Sequence, residues 1–175
     1  MTSHTDRDEL ASVFLSTDVD REWSSVAQEV NALGIGNDGG MNHGDRRAIY
    51  YMLKRLCPRT VLEVGTHVGA STVNILAALR NCSSRTQVDS RKMITVDIRD
   101  VNDAKSQPWK KIGSKDSPRE MSKKMGVPNM VQFVVSPSTR YLSSCTERFD
   151  FIFLDGNHDA TTVYQEVPLA LGLLK

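Results

Sequence analysis

The chain has 175 residues, 39% of them hydrophobic and 25% charged, with a net charge of +1. That is enough for one core and ordinary for a globular protein, and so small a charge creates no global field to draw the chain onto nucleic acid or a membrane. Cys57, Cys82 and Cys145 are too few and too scattered for a disulfide framework or a zinc knuckle. With polar first residues from Met1 to Glu9 and no apolar run long enough to span a bilayer, the expectation is a cytoplasmic protein with reduced thiols.

Residues 1–19 are mixed in character and read as a disordered or loosely docked arm. From Asp20 to Leu33, the residues Trp23, Val26, Ala27, Val30 and Leu33 recur at helical spacing, and Gly34 is a fitting C-cap. The glycine-rich stretch 34–44 reads as a loop. A second helix is expected from Asp45 to Leu56, with Ile49, Met52, Leu53 and Leu56 on one face and Pro58 ending it. Residues 1–40 thus read as an N-terminal arm, helix and loop, and 41–175 as the main domain.

Four apolar runs follow, Thr60–Gly65, Met93–Ile98, Met130–Val135 and Phe149–Asp155. They are continuous instead of alternating, which predicts strands buried on both faces of a mainly parallel sheet. Helices are predicted between them. One covers Ser71–Arg80, and another covers Ser117–Met125 behind a capping box, Ser117-Pro118-Arg119-Glu120. The others are Ser138–Ser144 and Asp159–Leu174, the last with Val163, Val167, Leu171 and Leu174 on one face and a kink at Pro168. Strand alternating with helix means α/β, a Rossmann-like sheet with helices on both faces. The polar segments 81–92 and 100–116 are long for connections. The second carries Trp109, Lys110, Lys111 and Lys115 among Asp100, Asp103 and Asp116, and is read as solvated surface.

In open α/β sheets, ligands sit beyond the carboxyl ends of the strands. That rule selects Glu63–Thr72, Asp97-Ile98, Ser136–Thr139 and Asp155–Asp159. Gly65 and Gly69 let a ligand approach the backbone. Ser71 and Thr72 supply hydroxyls or cap the following helix. Asp97, ending the second strand, has the placement of a carboxylate that accepts bonds from both hydroxyls of a ribose. The nicotinamide-binding turn does not fit, because His67 and Ala70 occupy its second and third glycine positions.

Glu63-x-Gly65-x-x-x-Gly69-Ala70-Ser71-Thr72, followed by Asp97 and then Asp155-Gly156-Asn157-His158, resembles the class I S-adenosylmethionine-dependent methyltransferases. More narrowly, it is similar to the small-molecule O-methyltransferase-like family with Asp-Gly-x-His after the fourth strand, over about residues 40–174. The lead-in Met41-Asn42-His43-Gly44-Asp45 fits that pattern. The resemblance implies that Glu63, Gly65, Thr66, His67 and Gly69 line the methionine part of the cofactor, that Asp97 binds the ribose and that Ile98 packs on adenine. It implies Asp155 as a ligand for a divalent cation such as Mg2+, as an optional helper, and His158 as a base beside the acceptor. Ser136-Pro137-Ser138 departs from the family's Gly-Asp-Ser-like segment, so the adenine amino group lacks its usual partner.

The resemblance stops at the fourth helix, whereas the family's sheet goes on to a fifth strand beside the fourth. Phe151-Ile152-Phe153-Leu154 would then present an apolar edge. The expectation is that the chain is a fragment, or that a homo-oligomer or partner covers this edge. The function implied is methyl transfer from S-adenosylmethionine to a small molecule at oxygen. Two alternatives stand beside it: a nicotinamide-binding oxidoreductase, and a cofactor-binding remnant without activity. Against the first of these, Tyr50-x-x-x-Lys54 precedes the glycine turn, the wrong place for a catalytic pair.

Overall fold

A computed structural model describes residues 17–35, 41–82 and 91–175. Most of the expected N-terminal arm, the centre of the glycine-rich loop and residues 83–90 lie outside the described residues.

Helix α1 (Thr17–Ala32) starts within the expected arm, and α2 (His43–Leu56) starts earlier than expected because Asn42 accepts the Asp45 amide as N-cap. Gly34 takes a φ of +68° just past α1. Val26, Val30 and Leu33 of α1 are buried in the same core as α2. The buried face of α2 is Ile49, Tyr50, Tyr51 and Leu53, whereas Met52 and Leu56 are exposed, which corrects the predicted stripe. The two tyrosines decide this. Their rings bury while their hydroxyls reach α1, Tyr50 donating to Glu22 Oε1 at 2.5 Å and Tyr51 to Asp20 Oδ1 at 2.7 Å.

The sheet consists of β1 (Thr60–Val64), β2 (Lys92–Asp97), β3 (Val131–Val135) and β4 (Phe151–Leu154), all parallel, in the order β3-β2-β1-β4. Helices α3 (Ala70–Arg80), α4 (Pro108–Lys111), α5 (Pro118–Lys124), α6 (Ser138–Ser144) and α7 (Ala160–Leu171) complete the connections. Alternation along the strands sorts the core into two layers. Val61 and Met93 pack with α1, α2 and α3, whereas Leu62 and Ile94 pack with Leu142 of α6 and Ala170 of α7. This is the expected three-layered α/β fold.

Burial on both faces holds for β1 and β2 but not for β3 and β4, whose residues are half-buried or exposed because each strand has a neighbour on one side only. Helix α7 runs through Pro168 and ends at Leu171, short of the expected Leu174. Its inward face is Glu166, Leu169 and Ala170, continued by Leu173. The predicted stripe of Val163, Val167, Leu171 and Leu174 is exposed, a second correction. The 100–116 segment is also not the solvated surface expected, since Val101, Trp109 and Ser114 are buried. No helix among the described residues is long and apolar enough to cross a membrane.

Candidate functional site

The sheet's carboxyl end is shaped by one close approach. Gly65 follows β1 with a φ of +99°, and a Cβ there would lie 2.1 Å from the Asp155 carbonyl oxygen and 2.9 Å from Gly156 Cα. Only glycine allows the chain leaving β1 to pass so close to the chain leaving β4. The turn then closes through a Gly69 N–H bond to the Thr66 carbonyl at 2.7 Å, with His67 at φ 47° and Gly69 at φ 83°. Gly69 is the N-cap of α3 and lies against Pro118, whose Cβ would be 3.0 Å from an added methyl.

Behind this turn sits Glu63, fully buried. Ser71 Oγ donates to its Oε1, while Thr72 Oγ1 and Thr95 Oγ1 donate to Oε2 at 2.6 and 2.5 Å. Burial pushes its carboxyl up to about 7, with Asp155 adding to the rise and the three hydroxyls opposing it. The Ser71 and Thr72 hydroxyls therefore hold Glu63 instead of capping α3, which has no side-chain cap. The Thr66 hydroxyl joins the same network at 2.5 Å from Thr95 Oγ1.

On the other side of the turn, Asp97 ends β2. Its Oδ2 accepts the His67 N–H and its Oδ1 the Arg99 N–H, both at 2.9 Å. Each oxygen retains a lone pair. Between these elements lies a cavity of about 680 Å³. All four strand-end segments selected from the sequence contribute to it: Gly65, Thr66, His67 and Ser71 from the first, then Asp97 and Ile98, Ser136 to Thr139, and Asp155 to His158. Glu63, Gly69 and Thr72 do not line it; they hold its wall from behind. Asp159 is the N-cap of α7. Arg99, Thr162, Gln165 and Glu166 also line the cavity, and the sequence reading missed them.

Burial pushes the Asp155 carboxyl above the usual carboxylate range; the charge of Asp45 adds to this, while His158 and His67 oppose it. His158 Nε2 stands 4.0 Å from Asp155 Oδ1 on a largely exposed side chain. Among the described residues, no cluster of three or more His, Cys, Asp or Glu side chains is placed to hold a metal ion. Asp155 therefore stands outside any such cluster, and the expected role of Asp155 as a metal ligand finds no support from neighbouring donors among the described residues. A second cavity of about 430 Å³ adjoins the first, sharing His67 and Arg99, and is walled by Trp109 and Ile112 of the docked loop.

A family model described as a methyltransferase domain matches residues 62–175. No curated protein matches the chain. Among solved structures, cofactor-bound Rv0187 from MTB superposes with a TM-score of 0.59 at 18% identity, over 100% of this chain and 70% of that one. The O-methyltransferase TomG from Streptomyces achromogenes, in complex with SAM, gives 0.59 at 19% identity over 97% and 67%. SAH-bound methyltransferase PaMTH1 from Podospora anserina gives 0.57 at 16% over 100% and 68%. At these identities the likeness is one of fold.

Proposed function

The chain belongs to the methyltransferase-domain family, and from that premise we propose that it binds S-adenosylmethionine in the larger cavity and methylates a small-molecule acceptor at oxygen. One observation carries the reading: Gly65 and Asp97, from adjacent parallel strands, open onto one cavity and are joined by the His67 N–H. The residues fit the cofactor. A bare backbone would meet the methionine part, a carboxylate with spare lone pairs would accept from the ribose hydroxyls, and Ile98, 69% exposed, would offer an apolar surface to adenine.

When bound, the cofactor supplies an electrophilic methyl group on a sulfonium. The protein's tasks are alignment, exclusion of water and removal of the acceptor's proton. Gly65, Thr66 and His67 fix the donor, with Glu63, Gly69, Ser71 and Thr72 keeping their turn in shape. His158, whose Nε2 stands 4.0 Å from Asp155 Oδ1, takes the acceptor proton. No step is assigned to a metal.

The apolar outer side of β4 and the stripe on α7 are proposed to be covered by a second copy of the chain. The cofactor reading is tested by calorimetric titration with S-adenosylhomocysteine and, separately, with NAD. Heat with S-adenosylhomocysteine alone is expected; heat with NAD alone would overturn it.

A further inference from the structure

Glu166 is unlike the other acids among the described residues. It is 2% exposed, and its Oε1 is closed off from solvent with no hydrogen-bond partner among the described residues. It also lines the large cavity, at the end formed by β4 and α7. Its Oε1 lies 3.8 Å from where a Cβ on Gly156 would be, in the segment that leads on to Asn157 and His158. The terminal torsion of a glutamate is soft, so the carboxylate can turn towards the cavity that its own side chain lines. Oε1 is an acceptor without a donor among the described residues, and an ammonium group is a donor of matching charge and chemistry.

The charge of the cavity points the same way. Its lining carries three carboxylates, Asp97, Asp155 and Glu166, against one guanidinium, Arg99, a net charge of −2 with the histidines neutral. Arg99 follows β2, which β1 separates from β4, the strand that leads into the helix carrying Glu166. S-adenosylmethionine has one sulfonium, one ammonium and one carboxylate, so it brings a single net positive charge. One negative charge of the lining is then left unmatched.

Resting on the cofactor reading above, we propose that Glu166 holds the ammonium group of an amine-bearing methyl acceptor, and so selects cationic over neutral acceptors. The same ammonium chemistry has a second source, the α-ammonium of the cofactor, and the test separates the two. The probes are n-butylammonium and n-butanol, a matched pair differing in charge, titrated into the chain with and without S-adenosylhomocysteine. The variants are Glu166→Gln, which keeps the shape, and Glu166→Ala, a second route should the first fail to fold. S-adenosylhomocysteine and 5′-methylthioadenosine, which lacks the amino-acid part, are titrated into the same proteins.

Butylammonium is expected to bind at least tenfold more tightly than butanol, and the variants to reduce that preference to about twofold or less. If instead the variants weaken S-adenosylhomocysteine tenfold and leave 5′-methylthioadenosine unchanged, Glu166 holds the cofactor's ammonium and the acceptor assignment is overturned. Equal binding of both probes with unchanged cofactor affinity overturns the proposal altogether. Failure of 5′-methylthioadenosine to bind the unmodified chain would count against the cofactor reading instead, and the butylammonium titration without cofactor would still report on Glu166.

Discussion

Two buried glutamates, one behind the cavity wall and one in its lining, have opposite surroundings. Glu63, behind the β1–α3 turn, is held by the Ser71, Thr72 and Thr95 hydroxyls. Glu166, under the β4–α7 turn, has an oxygen with no partner among the described residues. Burial is the same, so burial alone does not distinguish a structural carboxylate from a binding one; the supply of donors does. The contrast extends to the elements that carry them. β1 and α3 are buried almost throughout, whereas β4 is half-buried and α7 shows an apolar stripe to solvent.

The harshest way to break the comparison is to remove the contact joining the two sides. Gly65→Ala places a methyl group 2.1 Å from the Asp155 carbonyl oxygen at a φ of +99°. It is expected to cost more than about 4 kcal/mol, comparable to the whole stability of many domains. Denaturant unfolding would read this, and a Gly65→Ala protein of unchanged midpoint would contradict the packing described.

Glu63→Ala comes next. It strands hydroxyls in a dry interior and is expected to cost about 3 kcal/mol. Glu63 also sets a pH signature. Its carboxyl is held near 7 in the folded chain against an ordinary 4.5, so between those values the native state binds more protons than the unfolded state. Its contribution to stability is therefore present in full below about pH 4.5 and is lost as pH rises through about 7. Thermal melts of the chain and of Glu63→Gln across this range should show that fall in the parent and a flatter profile in the variant. Identical profiles would remove Glu63 as its source.

Asp97→Ala is expected to weaken S-adenosylhomocysteine by about 1–3 kcal/mol in calorimetry. Unchanged affinity would remove Asp97 from the site. Leu171→Lys, on the exposed α7 stripe, is expected to change stability by less than about 0.5 kcal/mol while lowering self-association in size-exclusion chromatography. A parent chain that is a monodisperse monomer at all concentrations would contradict the covering of that face by a second copy.

The same contrast explains what the sequence revealed. β1 and β2 were legible to within a residue because strands buried on both faces are continuous apolar runs. Gly65, Asp97 and Asp155 were legible because strand ends in a parallel sheet converge on one rim. The face of α2 was misread because Tyr50 and Tyr51 bury their rings while their hydroxyls bond to α1, a tertiary contact that helical periodicity does not register. Periodicity found the stripe on α7 but not whether anything lies against it.

Glu166 was missed because a single acid in the middle of a helix reads as solvent-facing. The signal was its spacing: Glu166, Leu169, Ala170 and Leu173 form one helical face, headed by a carboxylate. The 100–116 segment was misread because its charges outnumber its two buried apolar residues, Val101 and Trp109.

The central claim is that an adenosyl group lies between Gly65 and Asp97. Backbone amide NMR during titration with S-adenosylhomocysteine tests it most directly. The largest shifts are expected at Gly65, Thr66, His67 and Arg99, whose amides belong to the turn and to the Asp97 carboxylate's own bonds. Shifts confined to α1, α2 or the outer face of α7, with those four amides unmoved, would contradict it.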